Sequence, residues 1–516
     1  MLLIEDSIAH RALVRSKIIL LGNISTFCVI YTLYSLRYGL TVWRHPSALR
    51  IWCALETVFY AFMYWYRGHL QGDAKHPPLR SREERRALVH KVQDESHSHE
   101  KFLSGWFRGA KLEEIGRDGL KQFLDWAFWD GRSTAADEEE MNEYISEYES
   151  LTGVHFKEGK GTARCVRLTL DPIEMDSRSL VWYGLIMLAD TIAGLILLWT
   201  NWQHHRYSFT RNFVFPPRPA TLLASAKSPA KNISYWIKPH NSTTRVPVLY
   251  LHGIGVGLLP QVEFLNELDH SLNDNAGPDD QVGILALETL AISSRITSAI
   301  LTRQEFLTQI IQVLDANGYD RFVLCAHSYG SVLSTHVLYH EDLSSRISAT
   351  LLIDPVSIML HMPDVAYNFM ARPPTRANEW QLWYFGSHDP GVAHTLTRHF
   401  FWNENTLWRD RVLELVKNGM KFTAGLASDD LIVDTLSVGR YLTAGEVGDP
   451  VIEKGGDGQM KQSYEQHKPD TWKYRPWKTD GLNIVWWEKF DHAHCFQNRE
   501  TRGQLVDILT KYSKAG

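Results

Sequence analysis

The sequence lacks the cysteine patterns that mark a metal site or a disulfide framework. Its cysteines are few and scattered, at Cys28, Cys53, Cys165, Cys325 and Cys495. An odd, sparse set without ligand spacing argues against a disulfide scaffold and favours a reducing compartment. The sequence also lacks an excess of charge of one sign, because 54 Lys and Arg residues face 59 Asp and Glu residues for a formal net charge of −5. Composition therefore gives no reason to expect a nucleic-acid partner.

A nucleotide-binding loop is also missing. The glycine-rich stretch at residues 249–257 has glycines at 253, 255 and 257, but no Lys-Ser or Lys-Thr pair ends it. The same spacing misses the dinucleotide-binding fingerprint. Since no cofactor motif and no cluster of metal ligands is visible in the sequence, we expect neither a cofactor nor a metal.

Long apolar runs are present, and three of them are candidates for membrane segments. Residues 18–36 contain no charged side chain and approach the ~20 residues that span a bilayer. Residues 51–66 are shorter and carry Glu56, so they predict either the second arm of a membrane hairpin or an interfacial helix. Residues 180–202 are long enough to span, but Asp190 near their middle would be costly in lipid. A membrane contact and a buried helix that covers the following domain both fit this third run.

The pattern of the chain divides it into four regions. Residues 1–70 are expected to form a membrane anchor of one or two hydrophobic helices. Residues 71–215 form a mainly helical region that includes the third apolar run and shows no chemistry, and residues 216–245 hold a linker and the first strand region. From 246 to 516, apolar strands alternate with helical spacing, which is typical of a mostly parallel sheet flanked by helices. An aromatic-rich insertion at about 356–415 is expected to form a helical lid on this last region.

The strongest local signal is a serine between a strand and a helix. An apolar run at residues 322–325 leads into Ala326-His327-Ser328-Tyr329-Gly330, and helical spacing follows. This is typical of a nucleophile elbow, whose strained turn requires small residues two positions before and after the serine. Ala326 and Gly330 are those small residues. An ordinary strand-to-helix turn with Ser328 as a helix cap is the alternative.

A nucleophilic serine needs a histidine base, and the histidine needs a carboxylate to orient it. In enzymes with a nucleophile elbow, the acid and then the histidine follow the serine along the chain. Asp430 comes directly after the predicted strand 421–426 and is the preferred acid, with Asp429 as its close rival. Asp354 follows the strand after the elbow and is a further alternative, as is Asp389 in the insertion.

The base is expected in the loop after the last predicted strand, residues 482–487. His492 and His494 both lie there. We prefer His492, because Ala493 and Phe496 resemble the small-then-apolar run that leads into a closing helix. His494 stays open as the alternative.

Backbone donors for a developing oxyanion form the third requirement. The N–H of Tyr329, directly after the predicted nucleophile, is one candidate. The glycine-rich stretch offers a second donor at Ile254 or Gly255, since glycines let the backbone approach a substrate oxygen closely.

With these motifs in place, residues 246–516 resemble an α/β-hydrolase. The longer match includes the N-terminal apolar region, residues 376–384 and residues 391–395, and it resembles the membrane-associated α/β-hydrolases of fungi. The resemblance implies a Ser-His-Asp hydrolase that acts on an ester-type bond under a helical lid.

We therefore expect a membrane-associated serine hydrolase, carboxylesterase- or lipase-like, with Ser328, Asp430 and His492 as its triad. The substrate is expected to be a lipophilic carboxylic ester, lipid ester or thioester, because an aromatic insertion and membrane attachment favour an apolar ligand. The endoplasmic reticulum is a candidate location. Two other functions stay open: a catalytically silent α/β-hydrolase-fold binding or scaffold protein, and an acyltransferase that uses the same triad.

Overall fold

The N-terminal part of the chain is helical. The computed structural model describes residues 6–40, 44–208, 213–444 and 470–514. The helices that precede the sheet are α1 (Ile8–Arg37), α2 (Ala48–Leu70), α3 (Arg82–Glu95), α4 (His99–Trp106), α5 (Arg117–Trp129), α6 (Glu138–Thr152) and α7 (Leu180–Trp199). Helices α1 and α2 pack against each other as a hairpin. A serine caps the start of each helix. The Ser7 hydroxyl accepts a hydrogen bond from the His10 N–H, and the Ser47 hydroxyl accepts one from the Arg50 N–H.

A nine-stranded sheet forms the core of the rest of the described chain. In chain order the strands are β1 (Gln203–Arg206), β2 (Val214–Phe215), β3 (Ala226–Lys227), β4 (Ser234–Lys238), β5 (Val248–Leu251), β6 (Ile284–Glu288), β7 (Ile296–Thr297), β8 (Phe322–His327), β9 (Ile347–Ile353), β10 (Lys421–Ala427) and β11 (Leu482–Trp487). Their order across the sheet is β11-β10-β9-β8-β5-β6-β4-β1-β3, and β2 pairs with β7 apart from it. The strands from β11 to β6 are parallel, whereas β4 runs antiparallel to β6 and to β1.

Helices cover both faces of this sheet. They are α8 (Val262–Asn273), α9 (Arg303–Ala316), α10 (Gly330–Tyr339), α11 (Glu341–Ser345), α12 (Asp364–Ala366), α13 (Ala377–Leu382), α14 (Pro390–Arg398), α15 (Trp402–Asn405), α16 (Arg409–Lys417), α17 (Thr435–Thr443) and α18 (Arg499–Lys514). Helices α9 and α10 pack on one face, and α8 and α18 pack on the other. Every residue of β5, β6, β8 and β9 is buried, as expected for parallel strands covered on both sides. The predicted fold class is confirmed, and the chain has the α/β-hydrolase fold, with helices α12 to α16 inserted between β9 and β10.

The sheet begins earlier in the chain than the predicted domain start at residue 246. Strands β1, β3 and β4 all precede that residue and form one edge of the sheet, where β1 is antiparallel to β4 and parallel to β3. The sequence gives little sign of β1, because its residues are polar. His204 in β1 is nevertheless buried, with its ring 4.5 Å from the Trp236 ring and its Nε2 3.1 Å from a Glu288 carboxylate oxygen. Long-range pairing therefore makes a strand of a segment that has no apolar alternation.

Helix α7 lies against the sheet domain. Asp190 in its middle accepts hydrogen bonds from Arg218 at 3.1 Å and pairs with Arg295 at 3.0 Å, so its charge is neutralised inside the protein. The next turns pack Ala193 and Leu197 against the domain. One side of α7 covers the domain, while Leu188, Leu195 and Trp199 on the same helix stay exposed, so the fold is compatible with both interpretations of this run. By length and composition, α1 and α7 are both apolar enough to cross a membrane.

Candidate active site

Ser328 stands at the turn between β8 and α10. Its φ of 52° lies in the left-handed region, which is strained for a residue with a side chain. The turn closes tightly, because a Cβ on Gly330 would lie 2.2 Å from the Leu251 carbonyl oxygen. Gly253 is equally constrained, since a Cβ there would lie 2.7 Å from that of the serine. Small residues on both sides therefore let the turn expose the serine hydroxyl at the carboxyl ends of the parallel strands.

Three side chains from three separate loops meet at this turn. The Ser328 Oγ lies 2.8 Å from Nε2 of His492, which follows β11. The other ring nitrogen of His492, Nδ1, lies 2.7 Å from Oδ2 of Asp430, which follows β10. The structure thus brings together the serine, histidine and aspartate that the sequence analysis selects. This serial arrangement can pass a proton from a hydroxyl to an imidazole that a carboxylate orients.

The carboxylate of Asp430 is held in place by its own loop. Its Oδ1 accepts hydrogen bonds from the backbone N–H groups of Ile432 at 2.8 Å and Val433 at 2.9 Å, which leaves Oδ2 for His492. The side chain has no solvent exposure. Burial alone would lower the pKa of His492, but the nearby Asp430 carboxylate outweighs burial and raises that pKa to about 9. The pair therefore favours the imidazolium ion that forms when a serine is deprotonated.

The rival residues have other partners. Asp429 is exposed and accepts a hydrogen bond from the Ser428 hydroxyl at 3.2 Å. The Nδ1 atom of His494 accepts from the Asp491 N–H at 3.3 Å. Asp389 caps the start of α14, where its Oδ1 accepts from two backbone N–H groups at 3.1 and 3.2 Å.

Asp354 is a second carboxylate close to the same histidine. It is fully buried, has a φ of 44°, and burial raises its pKa. Its Oδ2 accepts the Ala493 N–H at 2.8 Å, while Oδ1 has no partner within the described residues. One ligand atom each of Asp354, Asp430 and His492 lies within 4.8 Å of the others, which is close enough for a metal. Both ring nitrogens of the histidine are already engaged, so this arrangement leaves it no lone pair for one.

The two candidate oxyanion donors in the glycine-rich stretch differ. The N–H of Gly255 donates to the Ile292 carbonyl at 3.1 Å, so it is not available to a substrate. The N–H groups of Ile254 and Tyr329 have no acceptor in the parts of the chain that the structure covers, and both residues line the pocket beside Ser328. These two amides are the donors that could face a substrate oxygen.

An apolar pocket opens over Ser328. It encloses about 660 Å³, part of it shared with solvent. The segment inserted between β9 and β10, called the lid from here on, supplies Phe369, Met370 and Phe400 to its wall. Phe400 also lies against Tyr329, with ring centroids 6.2 Å apart. An apolar chain attached to a reacting carbonyl would be surrounded by these side chains.

The opposite wall comes from the N-terminal helical region. Trp106 at the end of α4, Trp126 in α5 and Leu168 all line the pocket. The ring N–H of Trp106 donates to the His361 carbonyl at 3.1 Å, and that of Trp126 donates to Thr169 at 3.0 Å. Because those polar groups are satisfied elsewhere, the indole rings can present apolar surface to the pocket. The sequence analysis expects no chemistry in this region, and only the abundance of tryptophan hints at its role.

Comparison with known proteins adds distant likenesses only. No protein-family model and no curated protein sequence matches the chain. A carboxylesterase of the thaumarchaeon Nitrososphaera gargenis is similar over 55% of this chain and 97% of its own, with 14% identity and a TM-score of 0.34. A carboxylesterase of Bacillus subtilis is similar over 64% and 98%, with 10% identity and a TM-score of 0.36. A bacterial membrane phospholipase A is similar over 64% and 94%, with 11% identity and a TM-score of 0.37. Likenesses this distant carry no argument about substrate or mechanism.

Proposed function

We propose that this protein is a serine hydrolase that cleaves an ester-type bond. The observation that carries the proposal is the unbroken series of contacts from Ser328 through His492 to Asp430, at 2.8 and 2.7 Å. In this series the serine is the nucleophile, the histidine is the general base and then the general acid, and the aspartate orients the histidine.

The proposed reaction proceeds in two halves. The Ser328 oxygen attacks the acyl carbonyl while its proton moves to Nε2 of His492. The carbonyl oxygen becomes an oxyanion that accepts hydrogen bonds from the Tyr329 and Ile254 amides. His492 then gives the proton to the leaving alcohol or thiol, which departs and leaves an acyl-serine. A water molecule then loses a proton to Nε2 of His492 and attacks the acyl-serine. The carboxylic acid departs, and His492 returns the proton to the Ser328 oxygen.

The substrate that fits best has a lipophilic acyl group. The pocket wall is formed by tryptophan, phenylalanine, methionine and leucine side chains from two remote parts of the chain. Such a wall gains about 25 cal/mol for each Å² of apolar surface that it removes from water. A carboxylic ester, lipid ester or thioester of a long acyl chain would therefore be favoured over a small polar ester.

The experiment that tests the reaction is hydrolysis of p-nitrophenyl esters from acetate to palmitate, in detergent, by the wild type and by Ser328→Ala. We expect turnover that rises with chain length and disappears in the variant. A fluorophosphonate probe should label the wild type and not Ser328→Ala. Absence of both turnover and labelling would instead support a catalytically silent fold, and product analysis in the presence of an alcohol would reveal acyl transfer.

We also infer that the protein is attached to a membrane. Large apolar side chains on α1, α2 and α7 are exposed, among them Ile30, Leu33, Leu55, Val58, Leu188 and Trp199. A contiguous apolar surface of this kind is unfavourable in water and suits a lipid environment.

Membrane attachment can be tested with a triple substitution on α1. Phe27→Ser, Ile30→Ser and Leu33→Ser remove exposed apolar groups without touching the site. The wild type should float with phospholipid vesicles and the triple variant should lose much of that binding. Leu79→Ser with Leu151→Ser, which change exposed leucines elsewhere, should leave flotation intact. Equal flotation of the triple variant and the control would contradict attachment through α1.

A further inference from the structure

Asp491, the residue before His492, joins both loops that carry the histidine and the acid. Its Oδ1 accepts the backbone N–H of His492 at 2.7 Å and the backbone N–H of Leu431 at 2.8 Å. Leu431 directly follows Asp430, so one carboxylate oxygen holds both loops. The side chain of Asp491 is buried. Its position therefore bears directly on the alignment of the two proposed catalytic residues.

The second oxygen of this carboxylate is bound by the lid. Oδ2 of Asp491 accepts a hydrogen bond from Nδ2 of Asn378, in helix α13, at 2.7 Å. The other side of the Asn378 amide is fixed, because its Oδ1 accepts the Glu379 N–H at 3.0 Å. A lid residue thus completes the hydrogen bonding of a buried carboxylate beside the histidine.

The lid holds the acid loop through two further side chains. Nδ2 of Asn368 donates to the Ile432 carbonyl at 3.0 Å, and the guanidinium of Arg372 donates to the Leu431 carbonyl at 2.9 Å. Both carbonyls belong to the short turn that follows Asp430. The acid loop is therefore packed between the sheet and the lid.

Helix α13 in turn contacts the start of α1. The Asp6 carboxylate accepts the Ala377 N–H at 2.9 Å, and the Arg15 guanidinium lies 5.5 Å from the centre of the Trp380 ring. This places the lid helix between the helix that we assign to the membrane and the loop that carries His492.

We propose that Asp491 is a positioning residue that couples the lid to the triad, with Asn378 as the group through which the lid acts. The inference rests on the proposed hydrolase function and deepens it. When the lid is seated, Asn378 satisfies the buried carboxylate and the two loops align. When the lid lifts away, one oxygen of Asp491 loses its partner, and the loops lose the contacts that hold them. Hydrolysis therefore proceeds efficiently only while the lid covers the pocket.

The size of the effect follows from the sensitivity of catalysis to geometry. A misplacement of about 1 Å can lower a rate about 100-fold, because reacting groups must lie at near-attack distances. A buried carboxylate that loses one partner also carries an unmet desolvation cost. Loss of the hydrogen bond between Asn378 and Asp491 should therefore lower kcat for every ester and leave KM for a short soluble ester nearly unchanged.

The test is a swap of the two side chains. Asn378→Asp sets two carboxylates against each other and should lower kcat at least 10-fold. Asp491→Asn sets two amide donors against each other and should lower kcat by less, because two neutral amides repel each other less than two carboxylates do. The double variant Asn378→Asp with Asp491→Asn restores a donor and an acceptor with reversed roles, and should recover most of the wild-type kcat. A side chain with only a structural role would lower the melting temperature without this recovery.

The matched control makes the same two chemical changes at exposed positions, Asn418→Asp and Asp279→Asn. These should keep wild-type kcat, KM and melting temperature. A kcat within twofold of wild type for Asn378→Asp would overturn the coupling, as would a folded double variant that recovers nothing. Ser328-dependent turnover that is unaffected by Asn378→Asp would overturn the coupling alone, whereas a wild type without Ser328-dependent turnover would overturn the proposed function.

Discussion

The loops at Ser328 and the walls of the pocket above them are built in opposite ways. The loops are polar, and the carboxylates of Asp430 and Asp491 in them accept hydrogen bonds from backbone N–H groups. The walls are apolar and come from segments as far apart in the chain as Trp106 and Phe400. Reactivity therefore depends on local hydrogen bonding, whereas the space for a substrate depends on packing between remote parts of the chain.

The contrast implies that the two regions fail in different ways. A change in the loops should lower the rate for every substrate, because the reacting atoms lose their alignment. A change in the walls should alter which substrates are used, because only the buried apolar surface differs. Helices α4 and α5, which precede the sheet, contribute to the second property through Trp106 and Trp126.

The largest effect should come from the acid. Asp430→Asn removes the charge that holds His492 and should lower kcat about 10,000-fold, as loss of the acid does in other triads. Asp429→Asn changes the neighbouring exposed carboxylate and should have little effect. Measurement of kcat for both variants on the same short ester distinguishes the two. A large loss in Asp429→Asn with a small one in Asp430→Asn would contradict the assignment.

The buried cluster of charged side chains around Arg218 does not touch the proposed triad, so changes there should affect stability and leave the rate unchanged. Arg218 bonds Asp190 at 3.1 Å and Glu288 at 3.0 Å, and its side chain is 2% exposed. Arg218→Leu removes the cation that two buried carboxylates share, leaves Asp190 with Arg295 and Glu288 with His204, and should cost about 3–5 kcal/mol of unfolding free energy. Urea unfolding measures that loss, and active-site titration should give an unchanged kcat for the folded fraction. The exposed pair of Lys511 and Asp507 provides the contrast, because Lys511→Leu should cost less than about 1 kcal/mol.

The pocket wall should control chain length. Leu168→Trp fills the space beside the indole rings and should lower kcat/KM for a long-chain ester about 10-fold or more, by analogy with the cost of misfit in apolar pockets. Turnover of p-nitrophenyl acetate should stay within twofold, since a short acyl group does not reach that wall. Tyr474→Ala, at an exposed aromatic away from the pocket, is the control. Equal losses on both esters would show that the substitution damages the loops.

The smallest effect is a shift in pH dependence. His492 must be neutral to accept the serine proton, and the Asp430 carboxylate raises its pKa to about 9. A raised pKa means that the inactive protonated form persists to higher pH, so kcat/KM of the wild type should rise with pH until about 9. In Asp430→Asn the pKa should fall, and the residual activity should reach its plateau at lower pH. The same ion pair stabilises the folded state below the unfolded pKa of histidine, and this contribution is lost as pH rises through about 9. If kcat/KM of Asp430→Asn rose over the same pH range as that of the wild type, the pairing of His492 with Asp430 would be contradicted.

The sequence predicts the sheet well because its strands are buried on both sides. Apolar runs place β8, β10 and β11 within two residues of their observed ends. Residues 421–426 and 482–487 lead directly to Asp430 and His492, so the order of the elements along the chain predicts where both loops begin. The edge strand β1 escapes prediction because its polar residues become a strand only through pairing with β4.

The sequence by itself determined the fold class, selected Ser328 and reduced the proposed acid and base to a few candidates, because a strained turn, an apolar strand and a polar loop are local patterns with few solutions. Tertiary structure alone decided the rest. It distinguishes Ile254 from Gly255 as a donor, because only folding gives Gly255 its acceptor, Ile292. It brings Trp106 and Trp126 over Ser328 and seats the lid on Asp491. Contacts between residues hundreds of positions apart depend on how helices pack in three dimensions, and no periodicity along the chain records that packing.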